Sequence, residues 1–369
     1  MHKWEIPTPA LVVDFDKLTA NINEMAERVH KAGLAIRPHI KTHKTPIIAH
    51  MQMKAGAVGI ACAKLGEAEV MAAAGIEDIF IAYPIVGHDK VDRLVNLACW
   101  VPKISTSVDT IAAASALNVA ALARGLHMDV MVEVEAGYRR TGVLPDEHLL
   151  RLVQAIVSSM PGLRYKGLMY MAGGTGVYIE PEKQLAGELE GAKVATDAAA
   201  YLAANGIKTE VISGGSTPGA KFVDKLQGVT EYRPGCYVFG DMKYADIGAL
   251  KREQMSLTIL VTVVSVPDVS EPDHFVVDSG SKTLTHCLAM TTPGFGTFVQ
   301  YPQLSITVAS EEHGSVHLPK GQNPPQLGAK LDIYPNYVSD VVNLSDTLWV
   351  VRGEEVIATW EIAARGKRV

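Results

Sequence analysis

The sequence predicts an α/β protein: a (β/α)8 TIM barrel with a second, C-terminal β-rich domain. Eight strand-like runs alternate with alanine-rich helical patterns over about 220 residues, as in closed barrels. An open, doubly wound sheet gives the same alternation, but no Gly-x-Gly-x-x-Gly follows the first strand, which disfavours a dinucleotide fold. Past Lys251 the long helical patterns stop and strand-like runs dominate. We therefore place the barrel at residues 15–248 and the β-rich domain at residues 1–14 plus 249–369.

The predicted elements follow one another at regular intervals. An opening strand at 10–13 precedes a helix over 16–32, whose apolar stripe is Leu18, Ile22, Met25 and Val29. Barrel strands are predicted at 34–40, 57–63, 78–83, 103–108, 128–134, 165–170, 209–213 and 231–239. Helices are predicted, among others, at 65–74, 91–98, 109–123 and 181–204. The β-rich domain, which the opening strand is expected to join, has predicted strands at 257–266, 274–278, 304–310, 330–333 and 348–351.

Composition indicates an ordinary globular protein. The 369 residues suffice for one large domain and a smaller one, with 48% apolar and 20% charged residues. The net charge of -6 gives no reason to expect nucleic acid or an acidic membrane surface as a partner. Four cysteines without paired spacing predict reduced thiols in a cytoplasmic protein. No signal-peptide pattern and no apolar run of membrane-spanning length is present.

Lys41 follows the first barrel strand, within Arg37-Pro38-His39-Ile40-Lys41-Thr42-His43-Lys44. Active sites of such barrels collect at the carboxyl ends of the strands. A lysine there forms a Schiff base with a carbonyl compound if its amine is partly desolvated or has cationic neighbours, which His39, His43 and Lys44 could supply. The alternative is a basic, solvated loop, because burial is not visible in the sequence.

Two glycine-containing loops follow the seventh and eighth predicted strands. The first, Ile212-Ser213-Gly214-Gly215-Ser216-Thr217, offers backbone N–H groups and hydroxyls to an anion. The second is Arg233-Pro234-Gly235-Cys236-Tyr237. Loops at these places are a frequent phosphate site of this barrel type, although glycine pairs are usually only turns. A phosphate site together with a strand-end lysine points to pyridoxal 5'-phosphate, with its aldehyde held by Lys41.

Three further segments carry candidate side chains. An arginine of Glu133–Val143, after the fifth strand, meets a substrate carboxylate or the cofactor, unless it only pairs with Glu135. Tyr170 ends the sixth strand and stacks on or hydrogen-bonds a ring, unless it belongs to the core. His313 stands beside two glutamates, which allows a proton relay unless the segment is an ordinary turn.

Ordered landmarks run through nearly the whole chain. They are Thr8–Asp14, Arg37–Lys44, Arg140–Val143, Ser213–Ser216, Pro234–Phe239 with Asp241, Asp278–Lys282, Glu311–Gly314, Pro335–Asn336 and Ala364–Lys367. Together they resemble the fold-type III pyridoxal phosphate enzymes of the alanine racemase superfamily. The closer resemblance is to the D-threonine aldolase and D-serine dehydratase branch.

The resemblance implies roles for individual residues. Lys41 would carry the internal aldimine, and Arg140 and Tyr170 would lie near the pyridine ring. The phosphate would be surrounded by Gly214, Gly215, Ser216, Gly235 and Tyr237. His39, Ser213 and Cys236, in the same segments, are further candidate cofactor-binding residues. The resemblance also implies a head-to-tail homodimer, in which the β-rich domain of one subunit covers the barrel mouth of the other.

The segment Pro335–Asp340 departs from the branch it resembles. There, a histidine follows Pro-Asn and a cysteine or aspartate stands two residues later, and the pair binds a divalent metal that holds the substrate's 3-hydroxyl. This chain has Tyr337 and Ser339 instead, and neither neutral side chain is a good divalent-metal ligand. Asp340 would point to the opposite face if the segment is a strand. We therefore predict no family metal site, while an aspartate-based substitute stays open.

The missing ligands bear on the reaction type. Dehydration with metal assistance needs a Lewis acid on the leaving hydroxyl. Retro-aldol cleavage needs a base for the hydroxyl proton, for which Tyr337 and His313 are candidates. We therefore predict a pyridoxal phosphate-dependent lyase that cleaves a D-configured 3-hydroxy amino acid, with Lys41 as its central residue.

Three alternatives remain. A metal-independent racemase or epimerase needs only bases on both faces of Cα, for example Lys41 and Tyr337. A D-serine dehydratase-like deaminase is the second alternative. A non-catalytic cofactor carrier is the third, and the full C-terminal domain speaks against it.

Overall fold

The computed structural model describes residues 1–369, which divide into two compact units. The barrel unit comprises Asn23–Lys41, Pro46–Gly235 and Lys367–Val369. The β-rich unit comprises Met1–Ile22, Thr42–Thr45 and Cys236–Gly366. The chain opens with strand β1 (Ala10–Asp14) and helix α1 (Phe15–Lys31). The predicted apolar stripe of α1 is confirmed, since all four of its residues are buried: Leu18, Ile22, Met25 and Val29.

Eight parallel strands form the sheet of the barrel unit. They are β2 (Ala35–Ile36), β3 (Ile60–Cys62), β4 (Asp78–Pro84), β5 (Lys103–Val108), β6 (Met128–Val134), β7 (Leu163–Tyr170), β8 (Val211–Gly214) and β9 (Glu231–Tyr232). Neighbours follow the order β2-β9-β8-β7-β6-β5-β4-β3. The two ends meet, because His39 bridges Ala61 in parallel and the Ile40 N–H donates to the Ala61 carbonyl at 2.9 Å. This closure confirms the predicted (β/α)8 barrel.

Helices alternate with these strands. They are α2 (Pro46–Lys54), α3 (Leu65–Ala73), α4 (His88–Ala98), α5 (Ile111–Leu122), α6 (Glu147–Ser159) and α7 (Pro181–Ala204). A 3-10 helix at Pro218–Lys225 replaces the α-helix between β8 and β9. The start of α5 shows why the sequence sets these bounds: the Oγ1 of Thr110 accepts the Ala113 N–H at 3.2 Å, which caps the helix. No helix combines the length and apolarity needed to cross a lipid bilayer.

Side chains fill the barrel unit. Ala61, Phe80, Met131 and Met169, from four different strands, form one buried cluster. Barrel strands are covered on both faces, so nearly all of their residues should be buried. In β6, six of the seven residues are buried. The barrel is therefore a packed scaffold, and chemistry is left to the loops at the strand ends.

The β-rich unit contains the remaining strands. They are β10 (Leu257–Ser265), β11 (His274–Val277), β12 (Thr297–Phe298), β13 (Val308–Ala309), β14 (Gly314–His317), β15 (Lys330–Tyr334), β16 (Thr347–Arg352) and β17 (Glu355–Glu361). The main path is β13-β14-β11-β10-β1-β16-β17, and β15 pairs with β10 and β12. The opening strand joins this sheet as predicted: β1 runs antiparallel to β10 and parallel to β16. Its short helices are α8 (Met242–Asp246), α9 (Ser281–Leu284) and α10 (Val338–Leu344).

Four predicted strands are clearly shorter than expected. The runs 34–40 and 57–63 are paired as strands only at Ala35–Ile36 and Ile60–Cys62. The run 231–239 pairs only at Glu231–Tyr232 and then turns into a 3-10 helix at Cys236–Val238. Pro234 has no N–H to give to a ladder, so the strand cannot continue through it. The run 304–310 is paired as a strand only at Val308–Ala309.

The segment around Tyr337 is not a strand. Tyr337 is the N-cap of α10, and the Val338 N–H donates to the Asp241 Oδ2 at 3.0 Å. Asp340 therefore lies in the first turn of a helix, and the alternation expected for a strand does not apply.

Candidate active site

Lys41 lies in a turn just beyond β2, at the carboxyl edge of the barrel sheet. Its backbone N–H donates to the His39 Nδ1 at 3.3 Å, and the His39 N–H donates to the Pro234 carbonyl at 2.8 Å. These bonds fix the turn beside the end of β9. The Lys41 side chain is half-buried, which argues against the fully solvated loop.

The glycine loop after β8 passes over two tyrosine rings. A Cβ at Gly214 would lie 2.1 Å from the Cε1 of Tyr170, and one at Gly215 would lie 2.0 Å from the Cε2 of Tyr232. Gly215 also has a φ of +87°, which disfavours other residues. Both positions therefore require glycine, because the loop backbone packs directly against the two tyrosine rings.

The loop after β9 lies beside the loop after β8. Gly214 and Tyr232 are partners in the parallel ladder, so the two strands end at the same level. The Gly235 N–H donates to the Thr217 Oγ1 at 3.2 Å and joins the loops. The next two residues, Cys236 and Tyr237, are buried and belong to the β-rich unit. The barrel fold thus brings the two predicted phosphate loops together.

The hydroxyl of Ser213 is already engaged. It donates to the Glu231 Oε1 at 2.5 Å and accepts a hydrogen bond from Arg233. Ser216, in contrast, is half-exposed in the loop. The Ser216 hydroxyl is therefore better placed than that of Ser213 to donate a hydrogen bond to an anion.

Arg233 is a buried cation that sequence reasoning did not select. It donates to the Ser213 Oγ and to the Tyr170 carbonyl, the latter at 3.0 Å. Burial lowers its pKa, and the Glu231 carboxylate opposes that effect. Its place directly before Pro234 was the available signal, but burial cannot be read from a dipeptide. Arg233 holds the end of β7 against β8 and supplies positive charge there.

Tyr170 has a polar atom without a partner. The side chain is fully buried, and its Oη makes no hydrogen bond although it lies against Gly214. Burial raises the pKa of Tyr170, so the group is a phenol with a proton to donate. A buried phenol normally has a partner, which makes this atom a candidate for a ligand contact.

Arg140 is exposed beside the end of β6. Its guanidinium lies 4.7 Å from the centre of the Tyr138 ring. The Glu135 Oε1 accepts the Arg139 backbone N–H at 2.7 Å, which is a hydrogen bond and not the ion pair with an arginine side chain considered above. Nearby, burial raises the pKa of Glu133, which accepts a hydrogen bond from Thr141. Arg140 is thus available to an anionic ligand.

A polar cluster surrounds Ser339 in the β-rich unit. The Ser339 Oγ donates to the Thr42 Oγ1 at 3.2 Å and lies 3.5 Å from the Cys236 Sγ. Burial raises the pKa of the Cys236 thiol and of the Tyr337 phenol, so both keep their protons. Burial also raises the pKa of Asp241 to about 7. Apart from Asp241, which is partly ionised at neutral pH, the cluster is a set of neutral donors and acceptors.

This donor set does not fit a divalent metal. No group of three or more histidine, cysteine, aspartate or glutamate side chains converges in a geometry suited to a metal ion. The hydroxyl of Ser339 is already bonded to Thr42, and protonated thiols and phenols are poor ligands. Asp340 lies at the surface on α10, and partial desolvation raises the pKa of its carboxyl.

His313 lies at the tip of the hairpin between β13 and β14. The residue is exposed, and its carbonyl accepts the Ser310 N–H at 3.0 Å, so the segment is also a tight turn. Glu312 forms an ion pair with Lys282 at 2.8 Å. The imidazole is thus presented to the outside of the β-rich unit.

A cavity of about 470 Å³ opens at the opposite, amino edge of the barrel. Its charged side chains largely pair with one another: Arg37 with Asp78 and Glu231, and Arg164 with Asp129. These pairs indicate a structural role. The candidate active site is therefore the carboxyl edge, where Lys41 and both glycine loops lie.

Two family models match the sequence. "Alanine racemase, N-terminal domain" matches residues 13–243, and "Putative serine dehydratase domain" matches residues 256–351. The first covers the barrel strands and both glycine loops, and the second covers most of the β-rich sheet.

Individual proteins are similar over their whole length. A D-threonine aldolase from Arthrobacter sp is 38% identical, with 98% of this chain and 93% of that protein covered. The D-threo-3-hydroxyaspartate dehydratase of Delftia sp. (strain HT23) is 30% identical, with 96% and 97% covered. The crystal structure of a D-threonine aldolase from Filomicrobium marinum superposes with a TM-score of 0.91 at 32% identity, covering 99% of this chain and 98% of that one. The chain therefore belongs to the alanine racemase superfamily, in the branch of the D-threonine aldolases and D-serine dehydratases.

Proposed function

We propose that this protein is a pyridoxal 5'-phosphate-dependent lyase that cleaves D-configured 3-hydroxy amino acids into an aldehyde and a smaller amino acid. The observation that carries the proposal is the meeting of Lys41 with two joined glycine loops at one edge of a closed barrel. The 38% identity to a D-threonine aldolase supports the reaction type.

The residues present fit the cofactor. The half-buried amine of Lys41 is the group that would hold its aldehyde. The backbone of Gly214, Gly215 and Gly235, with the hydroxyl of Ser216, would hold its phosphate. The unpartnered Tyr170 Oη would supply a further donor. When bound, pyridoxal 5'-phosphate withdraws the electron pair left at the substrate Cα.

Four side chains of this protein handle the substrate. Arg140, exposed beside β6, binds the carboxylate or the cofactor. A base takes the proton of the 3-hydroxyl while the Cα–Cβ bond breaks and the aldehyde leaves. Lys41 Nζ then returns a proton to Cα. The raised pKa of Tyr337 makes it a hydrogen-bond donor to the hydroxyl oxygen, so we assign the base role to His313.

The exposed position of His313 suits a shared site. In the head-to-tail homodimer we propose, the hairpin tip of one subunit faces the barrel mouth of the other. His313 of the partner subunit would then accept the substrate's hydroxyl proton.

We infer that the reaction proceeds without the metal site of the relatives' branch. Tyr337 and Ser339 stand where that site has its ligands. Burial keeps the Tyr337 phenol protonated by raising its pKa, and the Ser339 hydroxyl donates to Thr42. A proton acceptor is enough for retro-aldol cleavage, whereas loss of hydroxide needs a Lewis acid. The donor chemistry therefore favours the aldolase reaction over dehydration.

A product assay tests the function. The protein, reconstituted with pyridoxal 5'-phosphate and treated with EDTA, is incubated with D-threonine, and acetaldehyde and glycine are measured. We expect both products in equal amounts, none from L-threonine, and none from the K41A variant. Loss of optical activity with Cα deuterium exchange and no aldehyde would instead identify a racemase. Release of ammonia and a keto acid would identify a deaminase.

A further inference from the structure

A buried carboxyl group lies behind the glycine loop. Glu188, on α7, is 0% exposed. Its Oε2 accepts a hydrogen bond from the Thr175 Oγ1 at 2.6 Å, and its Oε1 lies 3.0 Å from the Tyr232 Oη. The same Tyr232 Oη lies 2.9 Å from the carbonyl oxygen of Ser216. One phenol thus links Glu188 to the loop at residues 214–217.

The hydrogen bonds around the Tyr232 hydroxyl indicate the ionisation state of Glu188. The Tyr232 hydroxyl has one proton, yet two oxygens lie within hydrogen-bond distance. The Ser216 carbonyl can only accept, so the Tyr232 hydroxyl donates its hydrogen bond to Ser216. The second contact is then a hydrogen bond if Glu188 Oε1 itself carries a proton and donates to Tyr232. If Glu188 is a neutral carboxylic acid, every polar group here has a hydrogen-bond partner. If it is a carboxylate, Glu188 and the Ser216 carbonyl compete for the single O–H donor of Tyr232.

The surroundings agree with a neutral acid. Tyr232 and Tyr170 are the titratable groups that face Glu188 from the strands, and Thr175 faces it from the loop after β7. Gly219, on the 3-10 helix after β8, closes the remaining side with backbone, since a Cβ there would lie 2.4 Å from the carboxyl carbon. No cationic side chain contributes. Burial raises the pKa of Glu188 more than the two hydrogen bonds lower it.

The bond from Tyr232 also orients a peptide group of the loop. In a planar trans peptide the carbonyl and the following N–H point in opposite directions. Because the Ser216 carbonyl points at the buried Tyr232, the Thr217 N–H points away from that side. Gly215 allows this arrangement, since any Cβ there would collide with the Tyr232 ring.

We propose that Glu188 is a neutral carboxylic acid that positions the phosphate loop through Tyr232, and that its ionisation weakens the hold on the cofactor. The proposal rests on the proposed function, which makes residues 214–217 the phosphate site. An ionised Glu188 accepts the hydrogen bond of the Tyr232 hydroxyl, so the Ser216 carbonyl loses its donor. It also places a negative charge behind the site of a phosphate dianion. Glu188 is a positioning residue.

The test compares wild type with E188Q. A glutamine can donate to Tyr232 and accept from Thr175, but it cannot ionise. The full-length protein, freed of cofactor, is titrated with pyridoxal 5'-phosphate between about pH 5 and about pH 9. At the lowest pH we expect wild type and E188Q to bind pyridoxal 5'-phosphate with equal affinity. Above the pKa of the Glu188 carboxyl, the affinity of wild type should fall relative to that of E188Q by up to about tenfold for each pH unit. E188A should bind weakly at every pH.

Two controls separate the possible failures. Pyridoxal, which lacks the phosphate, should show the same pH profile in wild type and E188Q, because it has no group for the loop at residues 214–217 to hold. Infrared spectra of the cofactor-free proteins should show a protonated carboxyl band in wild type that E188Q lacks. The proposal would be overturned if wild type and E188Q showed parallel pH profiles for pyridoxal 5'-phosphate binding. It would also be overturned if the protonated carboxyl band were unchanged in E188Q. A wild type that takes up no pyridoxal 5'-phosphate overturns the proposed function, and the infrared band alone then decides the state of Glu188.

Discussion

The backbone N–H of Gly235 donates to the Thr217 Oγ1 at 3.2 Å, and this bond joins the loops that follow the last two barrel strands. Replacing Thr217 by valine keeps the side-chain shape and removes the acceptor. We expect the dissociation constant of pyridoxal 5'-phosphate to rise about 5- to 10-fold, which corresponds to the roughly 1 kcal/mol of one hydrogen bond. Absorbance titration measures it. T217S should bind like wild type, and unchanged affinity in T217V would show that the bond is dispensable.

Gly215 should tolerate no side chain. Its φ is +87°, and a Cβ would lie 2.0 Å from the Tyr232 ring. We expect G215A to lower the free energy of unfolding by about 3 kcal/mol or more, because a buried ring must move. Gly206 provides a matched control, with a φ of +78° and no atom within 4 Å of its Cβ position. G206A should cost only about 1 kcal/mol in urea unfolding. Equal costs would mean that backbone strain alone, without the collision, explains the need for glycine.

Asp241 should make stability depend on pH. Burial raises its pKa in the folded protein to about 7 from an ordinary value of 3.8. Between these values the unfolded chain has lost a proton that the folded protein retains, so the free energy of unfolding falls as pH rises from about 4 to about 7 and then levels off. Urea unfolding across this range should show a shallower decline in D241N. Substitution of the exposed Asp224 by asparagine should leave the slope unchanged, and a slope in D241N equal to wild type would contradict the assignment.

Restoring the family's ligand types should restore metal dependence. Wild-type activity should be insensitive to EDTA, because the hydroxyls of Tyr337 and Ser339 are weak ligands. The double variant Y337H/S339D should bind one divalent ion per subunit, as measured by calorimetry with Mn²⁺. Y337H alone serves as the control and should bind more weakly. If EDTA abolishes the wild-type activity and a divalent ion restores it, the metal-free assignment is wrong.

Mixed dimers should test the shared site. K41A and H313A homodimers are each expected to be inactive, since every site lacks one group. When the two are unfolded and refolded together, about half of the dimers are mixed and have one intact site of two, so about a quarter of wild-type activity should return. No recovery would place His313 outside the partner's site. A fully active H313A homodimer would remove it from the mechanism.

Much of the fold could be predicted, because hydrophobic periodicity and helical patterns are local. The stripe from Leu18 to Val29 and the alternation of eight barrel strands with helices were visible in this way. The opening strand was also expected to join the second sheet, although its pairing is long-range. Strand ends were less predictable. Pro234 stopped the last barrel strand at Tyr232, although the apolar residues after it suggested continuation.

The candidate site was predicted in outline only. Lys41 and the glycines were found because each has a local signature beside a strand end. Arg233 and Glu188 were not selected, because their importance comes from burial and from partners at residues 170, 213, 175 and 232. Side chains whose roles depend on distant contacts cannot be found by spacing along the chain.

The central place of β1 in its sheet has a consequence for synthesis. Leu11 is made long before one of its ladder partners, Leu348. Until that partner emerges from the ribosome, one hydrogen-bonding edge of this apolar strand stays open to other chains, even after β10 has paired with the other edge. Such long-range pairing is slow, and the waiting strand is prone to aggregation. Overproduction of this protein should therefore benefit from slower translation at lower temperature.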